Sequence, residues 1–120
     1  MTKEQKELLL KDICARLPYG VKCQFEDTIE IIKGIWFCED EGWQIDGDKT
    51  STCIHAVKPY LFPLSSMNEE QEKEYLYTCN GYCPYYWTEE TYDWLNKNHF
   101  DYKGLIPIGL AIDATGLNIY

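Results

Sequence analysis

Near the start of the chain, apolar residues recur at intervals of three and four, at Leu9, Leu10, Ile13, Cys14 and Leu17. That spacing lines one face of a helix. Thr2-Lys3-Glu4-Gln5 fits a capping box, in which the Thr2 hydroxyl accepts from a first-turn amide while Gln5 reaches back. The helix predicted over 2–17 ends at Pro18, which cannot continue the run. From Val21 to Val57 the pattern changes. β-Branched and aromatic residues cluster in short runs, broken by Glu26-Asp27, Asp40-Glu41-Gly42 and Gly47-Asp48, the punctuation of hairpins. Three or four antiparallel strands are predicted, over 21–25, 28–38, 43–46 and 50–57. Within the second, Ile29 and Ile31 alternate with polar neighbours while Ile35-Trp36-Phe37 is apolar on both sides, so a bulge at Gly34 or burial of the strand's end is expected.

Pro59 and Pro63 bracket what reads as an extended connector. Ser66 or Asn68 then caps a second helix reaching about Thr78, and Asn80-Gly81 and Cys83-Pro84 mark a loop over 79–86. Thr88 starts a third helix, with Glu89 and Glu90 at the positive end of its dipole and Trp87 placed to staple against Tyr92. That helix ends near Asn98, and 105–112 reads as a short turn or helix followed by an apolar strand. The fold class is α+β: one domain over 1–120, an antiparallel meander of three to four strands packed with the N-terminal helix and the two later ones.

Composition narrows the classes. The chain has 120 residues, 45% of them apolar and 15% aromatic, which suits one ordered domain with one core. No apolar run approaches the roughly 18 residues of a membrane span, and no export signal is read at the N-terminus, so a cytoplasmic protein without membrane contact is expected. Six cysteines are then expected as reduced thiols. The net charge of −9 disfavours direct nucleic-acid binding, which draws its affinity from lysine and arginine. Residues 26–48 hold eight acidic side chains and one lysine. Glu39, Asp40, Glu41, Asp46 and Asp48 therefore form a candidate acidic face, able in principle to imitate a phosphate backbone and occupy the groove of a nucleic-acid-binding host protein.

Cys53, His55, Cys79 and Cys83 offer three thiolates and an imidazole, the donor set of a structural zinc site, with 53 and 55 on one face of a strand. Their spacing matches no common zinc knuckle, and ordinary thiols are the preferred reading: no metal and no cofactor are expected. A cysteine–histidine enzyme has only His55 and His99 to draw on, neither within a recognisable nucleophile motif. His99 is expected to cap the third helix, where a cation meets unpaired carbonyls. Asp46-Gly47-Asp48-Lys49-Thr50 superficially resembles an aspartate phosphatase loop, but the chain lacks the βαβ alternation that would place it, so Gly47-Asp48 is read as a hairpin turn. No phosphate loop, dinucleotide fingerprint or nucleophile elbow is present, and no catalytic residue is assigned.

Tyr75, Tyr77, Tyr82, Tyr85, Tyr86, Trp87, Tyr92 and Trp94 fall within twenty residues, more than one small core readily buries with every hydroxyl satisfied. Tyrosine and tryptophan are favoured at interfaces. The expected function is that of a non-enzymatic interaction or regulatory module, binding a protein partner through Tyr82, Tyr85, Tyr86 and Trp87. Two segments also carry a resemblance: Lys58-Pro59-Tyr60-Leu61 with Pro63-Leu64-Ser65-Ser66-Met67, and Asp93-Trp94-Leu95-Asn96 with His99-Phe100-Asp101-Tyr102 and Gly104-Leu105-Ile106. The chain resembles an uncharacterised family of short proteins found in gut commensal bacteria and their phages and mobile elements. It departs from that family's pattern at Phe62, Asn68 and Pro107-Ile108, where an arginine, a threonine and a polar pair are usual. The resemblance implies no activity, cofactor or catalytic residue.

Overall fold

The computed structural model describes residues 1–82 and 84–120. Helix α1 (Lys3–Arg16) opens with the expected capping box: the Thr2 hydroxyl accepts from the Gln5 amide at 3.1 Å while the Gln5 side chain accepts from the Thr2 amide at 2.9 Å. A 3-10 turn over Leu17–Tyr19 follows, and Gly20 in the left-handed region (φ 70°) ends it. The buried face of α1 differs from the apolar stripe. Leu9 and Ile13 lie in the core, but Cys14 is exposed, and Asp12 and Arg16 are fully buried.

Strands β1 (Lys22–Phe25) and β2 (Thr28–Ile31) form a hairpin, and β1 also pairs antiparallel with β6 (Val57–Pro63). β7 (Phe100–Asp101) and β8 (Ile112–Asp113) both join β6 in parallel. A second sheet is the meander of β3 (Gly34–Cys38), β4 (Gly42–Asp46) and β5 (Ser51–Cys53). Helices α2 (Glu69–Thr78) and α3 (Glu89–Lys97) pack on each other between β6 and β7 in chain order. Asn68 and Thr88 cap them through capping boxes closed by Gln71 and Thr91. The core gathers Leu9, Ile13, Val21, Phe25, Ile45, Val57, Leu61, Leu105 and Leu110 from α1, both sheets and the C-terminal turns.

Three expected elements are redrawn. The strand predicted over 28–38 is two strands in different sheets. The Ile32 amide still donates to Val21 at 3.0 Å, whereas the Lys33 amide donates to Asp46 at 2.7 Å, so the chain changes sheet between adjacent residues. The strand predicted over 50–57 stops at Cys53, where a 3-10 turn (Ile54–Ala56) separates β5 from β6. The supposed connector after Val57 is β6 itself, which has strand neighbours in β1, β7 and β8. Pro59 is accommodated because it lacks only the amide, while Val57, Pro59, Tyr60 and Leu61 bury their side chains. Over 105–112 the turn, rather than the helix, is what precedes the expected strand, the two-residue β8.

Arg16 ties the first helix to the late elements. Its Nε donates to Asp12 Oδ2 at 2.9 Å, an Nη donates to the Phe100 carbonyl at 2.6 Å, and the guanidinium lies 5.2 Å from the Tyr102 ring centroid. Burial pushes the Asp12 carboxyl upward against the opposing pull of Arg16. Removing one partner of a buried pair strands the other charge. Arg16→Ala is therefore expected to cost about 3–5 kcal/mol in urea unfolding. Asp12→Leu with Arg16→Met is expected to recover all but about 1 kcal/mol, the residue being the orphaned Phe100 carbonyl. Equal losses in the single and double variants would contradict this.

Candidate functional site

Helix α2 ends where Asn80 (φ 53°) and Gly81 (φ 82°) turn left-handed and the Gly81 amide donates to the Leu76 carbonyl at 2.8 Å. The Tyr85 and Tyr86 amides then donate to the Tyr82 carbonyl at 2.8 and 3.0 Å, which brings Tyr85 and Tyr86 back beside Tyr82. Their side chains point outward: Tyr85 is 92% exposed, and Tyr82 and Tyr86 are also largely in solvent. Tyr77, on the last turn of α2, is 80% exposed and extends the same aromatic stretch.

Trp87 does the opposite. Its Nε1 donates to the Tyr75 hydroxyl at 2.8 Å, and its ring meets Tyr75, Tyr92 and Tyr102 edge-on at centroid distances of 6.2, 5.4 and 6.0 Å. The Trp87–Tyr92 contact is the expected staple. The cluster continues from Tyr75 to Trp94, and Trp94 stacks on Phe100 at 5.6 Å. Beneath it the Thr88 hydroxyl donates to the Thr78 carbonyl at 3.0 Å, and Thr78 donates to the buried Thr91 hydroxyl at 3.1 Å, fastening the two helices together. The four aromatics anticipated from sequence thus divide into three displayed tyrosines and one anchor. Tyr77 was legible too, since residues two apart on a helix face opposite ways and Tyr75 packs inward.

The acidic candidates are dispersed. Glu39, Asp40 and Glu41 form the exposed β3–β4 turn. Asp46 accepts from Trp36 Nε1 at 2.9 Å and from the Ser51 hydroxyl at 2.6 Å, bonds that hold its carboxyl below the usual range. Asp48 accepts from the Ile31 amide at 3.0 Å. The most enclosed carboxylate of residues 26–48, Glu30, was not anticipated. It accepts from the Thr28 and Thr50 hydroxyls, both at 2.7 Å, and from the Lys49 and Thr50 amides at 2.9 and 2.8 Å. Those donors bring its carboxyl down to about 2. A Cβ on Gly47 would run into this same side chain, which makes the β4–β5 turn both a hairpin, as expected, and a lid over Glu30.

The cysteine–histidine set is not assembled. Cys53 ends β5 beside Gln44, whose Nε2 lies 3.3 Å from its sulfur, and the turn that follows rotates His55 into solvent rather than along a strand face. Cys79 is disulfide-bonded, contrary to the reduced thiols expected, and a bonded sulfur is not a thiolate ligand. Cys83 lies outside the described residues. Cys14, Cys23, Cys38 and Cys53 are free, and among the described residues no three His, Cys, Asp or Glu groups gather as a metal site. Also among them, no helix is long and apolar enough to cross a membrane.

His99 does not act as a cationic cap. Its backbone takes the left-handed position after α3 (φ 63°), and the Asn98 amide side chain donates to the Trp94 carbonyl instead. The imidazole stacks on Tyr120 at 3.6 Å with Nδ1 buried and unpartnered. Burial, then the nearby charges of Arg16 and Lys22, bring it down to about 4. No family model, curated protein or solved structure matches the chain.

These two shifted groups give separate acid responses. Between pH 6.5 and about 4 the unfolded chain binds a proton at His99 that the folded chain refuses, so stability is complete above that window and falls as pH drops through it. Glu30 contributes above its ordinary 4.5, and that contribution is lost as pH falls toward about 2. Urea midpoints against pH are expected to lose their upper slope in His99→Asn, which tolerates the left-handed backbone, and to keep the lower one. An unchanged upper slope would assign it to another group.

Proposed function

We propose that the protein is a non-enzymatic interaction module that binds a protein partner through the tyrosines displayed after α2. One observation carries this reading: Tyr82, Tyr85, Tyr86 and Tyr77 stand in solvent on a segment whose neighbour Trp87 is held by four aromatic and hydrogen-bonding contacts in the cluster beneath. Rings supply large contact area at low rotamer cost, and a fixed base lowers the ordering cost of binding. The resemblance of the C-terminal motifs to short proteins of phages and mobile elements is in keeping with an origin on such an element. The decoy reading has less support, because Asp46 and Asp48 are already engaged by internal donors.

Affinity capture from the native cell with the unaltered chain and with Tyr82→Ala, Tyr85→Ala and Tyr86→Ala tests the proposal. The alanine variants are expected to lose the captured partner while shifting stability by no more than about 0.5 kcal/mol, as exposed positions do. Trp87→Ala is expected to lower stability by about 3 kcal/mol, the lower end for truncating a packed aromatic. A partner retained by all three tyrosine variants would move the binding surface elsewhere.

A further inference from the structure

Strand β3 is the outer strand of its sheet, pairing with β4 on one side and with no other strand among the described residues. An unpaired strand edge offers a row of backbone donors and acceptors to another chain, and proteins usually blunt such edges with charge, proline or brevity. The other outer strands here are blunted. β5 has only three residues, and on β2 the Asp48 carboxylate occupies the Ile31 amide. β3 is Gly-Ile-Trp-Phe-Cys, five residues with neither charge nor proline. Both of its faces are wet near the end, with Phe37 57% exposed on one and Trp36 47% exposed on the other.

The residues flanking β3 are self-complementary. Lys33 precedes it and Glu39 follows it, both exposed. If two copies of β3 run antiparallel about Trp36, residue positions that sum to seventy-two face each other. Lys33 then lies opposite Glu39, Gly34 opposite Cys38, and Ile35 opposite Phe37, and by symmetry each pairing occurs twice. Opposite charges placed across strands stabilise the pair, and like charges oppose it. We infer that the chain self-associates through this edge, a second copy adding its β3 antiparallel so that two three-stranded meanders become one continuous six-stranded sheet. The contact is a short strand pair, so the dimer is concentration-dependent.

Sedimentation equilibrium of the full chain over a range of concentrations tests this. The weight-average mass is expected to rise from 14.1 kDa toward twice that value. Lys33→Glu or Glu39→Lys alone is expected to weaken association about tenfold, and the combined swap to restore it. An independent readout uses the facing pair. Gly34 has no positive φ and only ordinary contact with Asp46 where a Cβ would stand. In a Cys14→Ser background, Gly34→Cys oxidised with diamide is expected to give a covalent dimer that disappears when Cys38→Ser is added. A mass of one chain at every concentration overturns the inference, as does a dimer in which Gly34→Cys does not bridge to Cys38.

Discussion

The buried guanidinium of Arg16 is the constraint on which the arrangement of this molecule turns. It is fully buried, faces the equally buried Asp12 one turn earlier on α1, and donates to a carbonyl eighty-four residues away on β7. Its central carbon lies over the Tyr102 ring, and Tyr102 in turn meets both Trp87 and Tyr92. A continuous line of contacts thus runs from the first helix through one cation to the base of the tyrosine-bearing turn. Such a charge is costly to bury, and here the match is partial. Nε and one Nη find acceptors in Asp12 and Phe100, while the other Nη and Asp12 Oδ1 are buried without a hydrogen-bond partner, so these two bonds tie α1 to β7.

A second constraint joins the two sheets. The chain crosses between them at Ile32 and Lys33, and the Glu30 carboxylate reaches over to the β4–β5 turn, where four donors meet it. Three of the eight acidic side chains of residues 26–48 are engaged internally: Glu30, Asp46 and Asp48 all accept bonds from the protein itself. What faces solvent on this meander is an acidic turn beside aromatic side chains. The tyrosines, by contrast, lie on the last turn of α2 and between it and α3, a tightly bonded helix pair.

Legibility in the sequence followed the physics of each element. The three helices were readable because their caps are local events, closed within three residues. A capping box was evident only at Thr2, and the second cap was open between Ser66 and Asn68, of which Asn68 is the one used. β6 was misread because proline speaks against a strand, whereas burial of Val57, Tyr60 and Leu61 outweighs the two amides missing at Pro59 and Pro63. The two-residue strands β7 and β8 are too short to carry a period, and their parallel pairing is purely tertiary. Asp12 and Arg16 were hidden by the rule that charges lie outside. For the candidate site, loop chemistry at Asn80-Gly81 located the exposed tyrosines. The inward turn of Trp87 was foreshadowed by its staple with Tyr92, whereas its contact with Tyr102, fifteen residues on, is one that no local pattern reveals.

Displayed tyrosines on a pinned base amount to a surface built for contact, and their solvent accessibility is the quantity that reports on it. Hydroxyl-radical footprinting of the purified chain, repeated in extract of the native cell, measures that accessibility ring by ring. The account predicts strong labelling of Tyr77, Tyr82, Tyr85 and Tyr86 in the purified chain and protection of these rings in extract, with buried Tyr60 weakly labelled in both. Equal labelling of the four in both samples would contradict it.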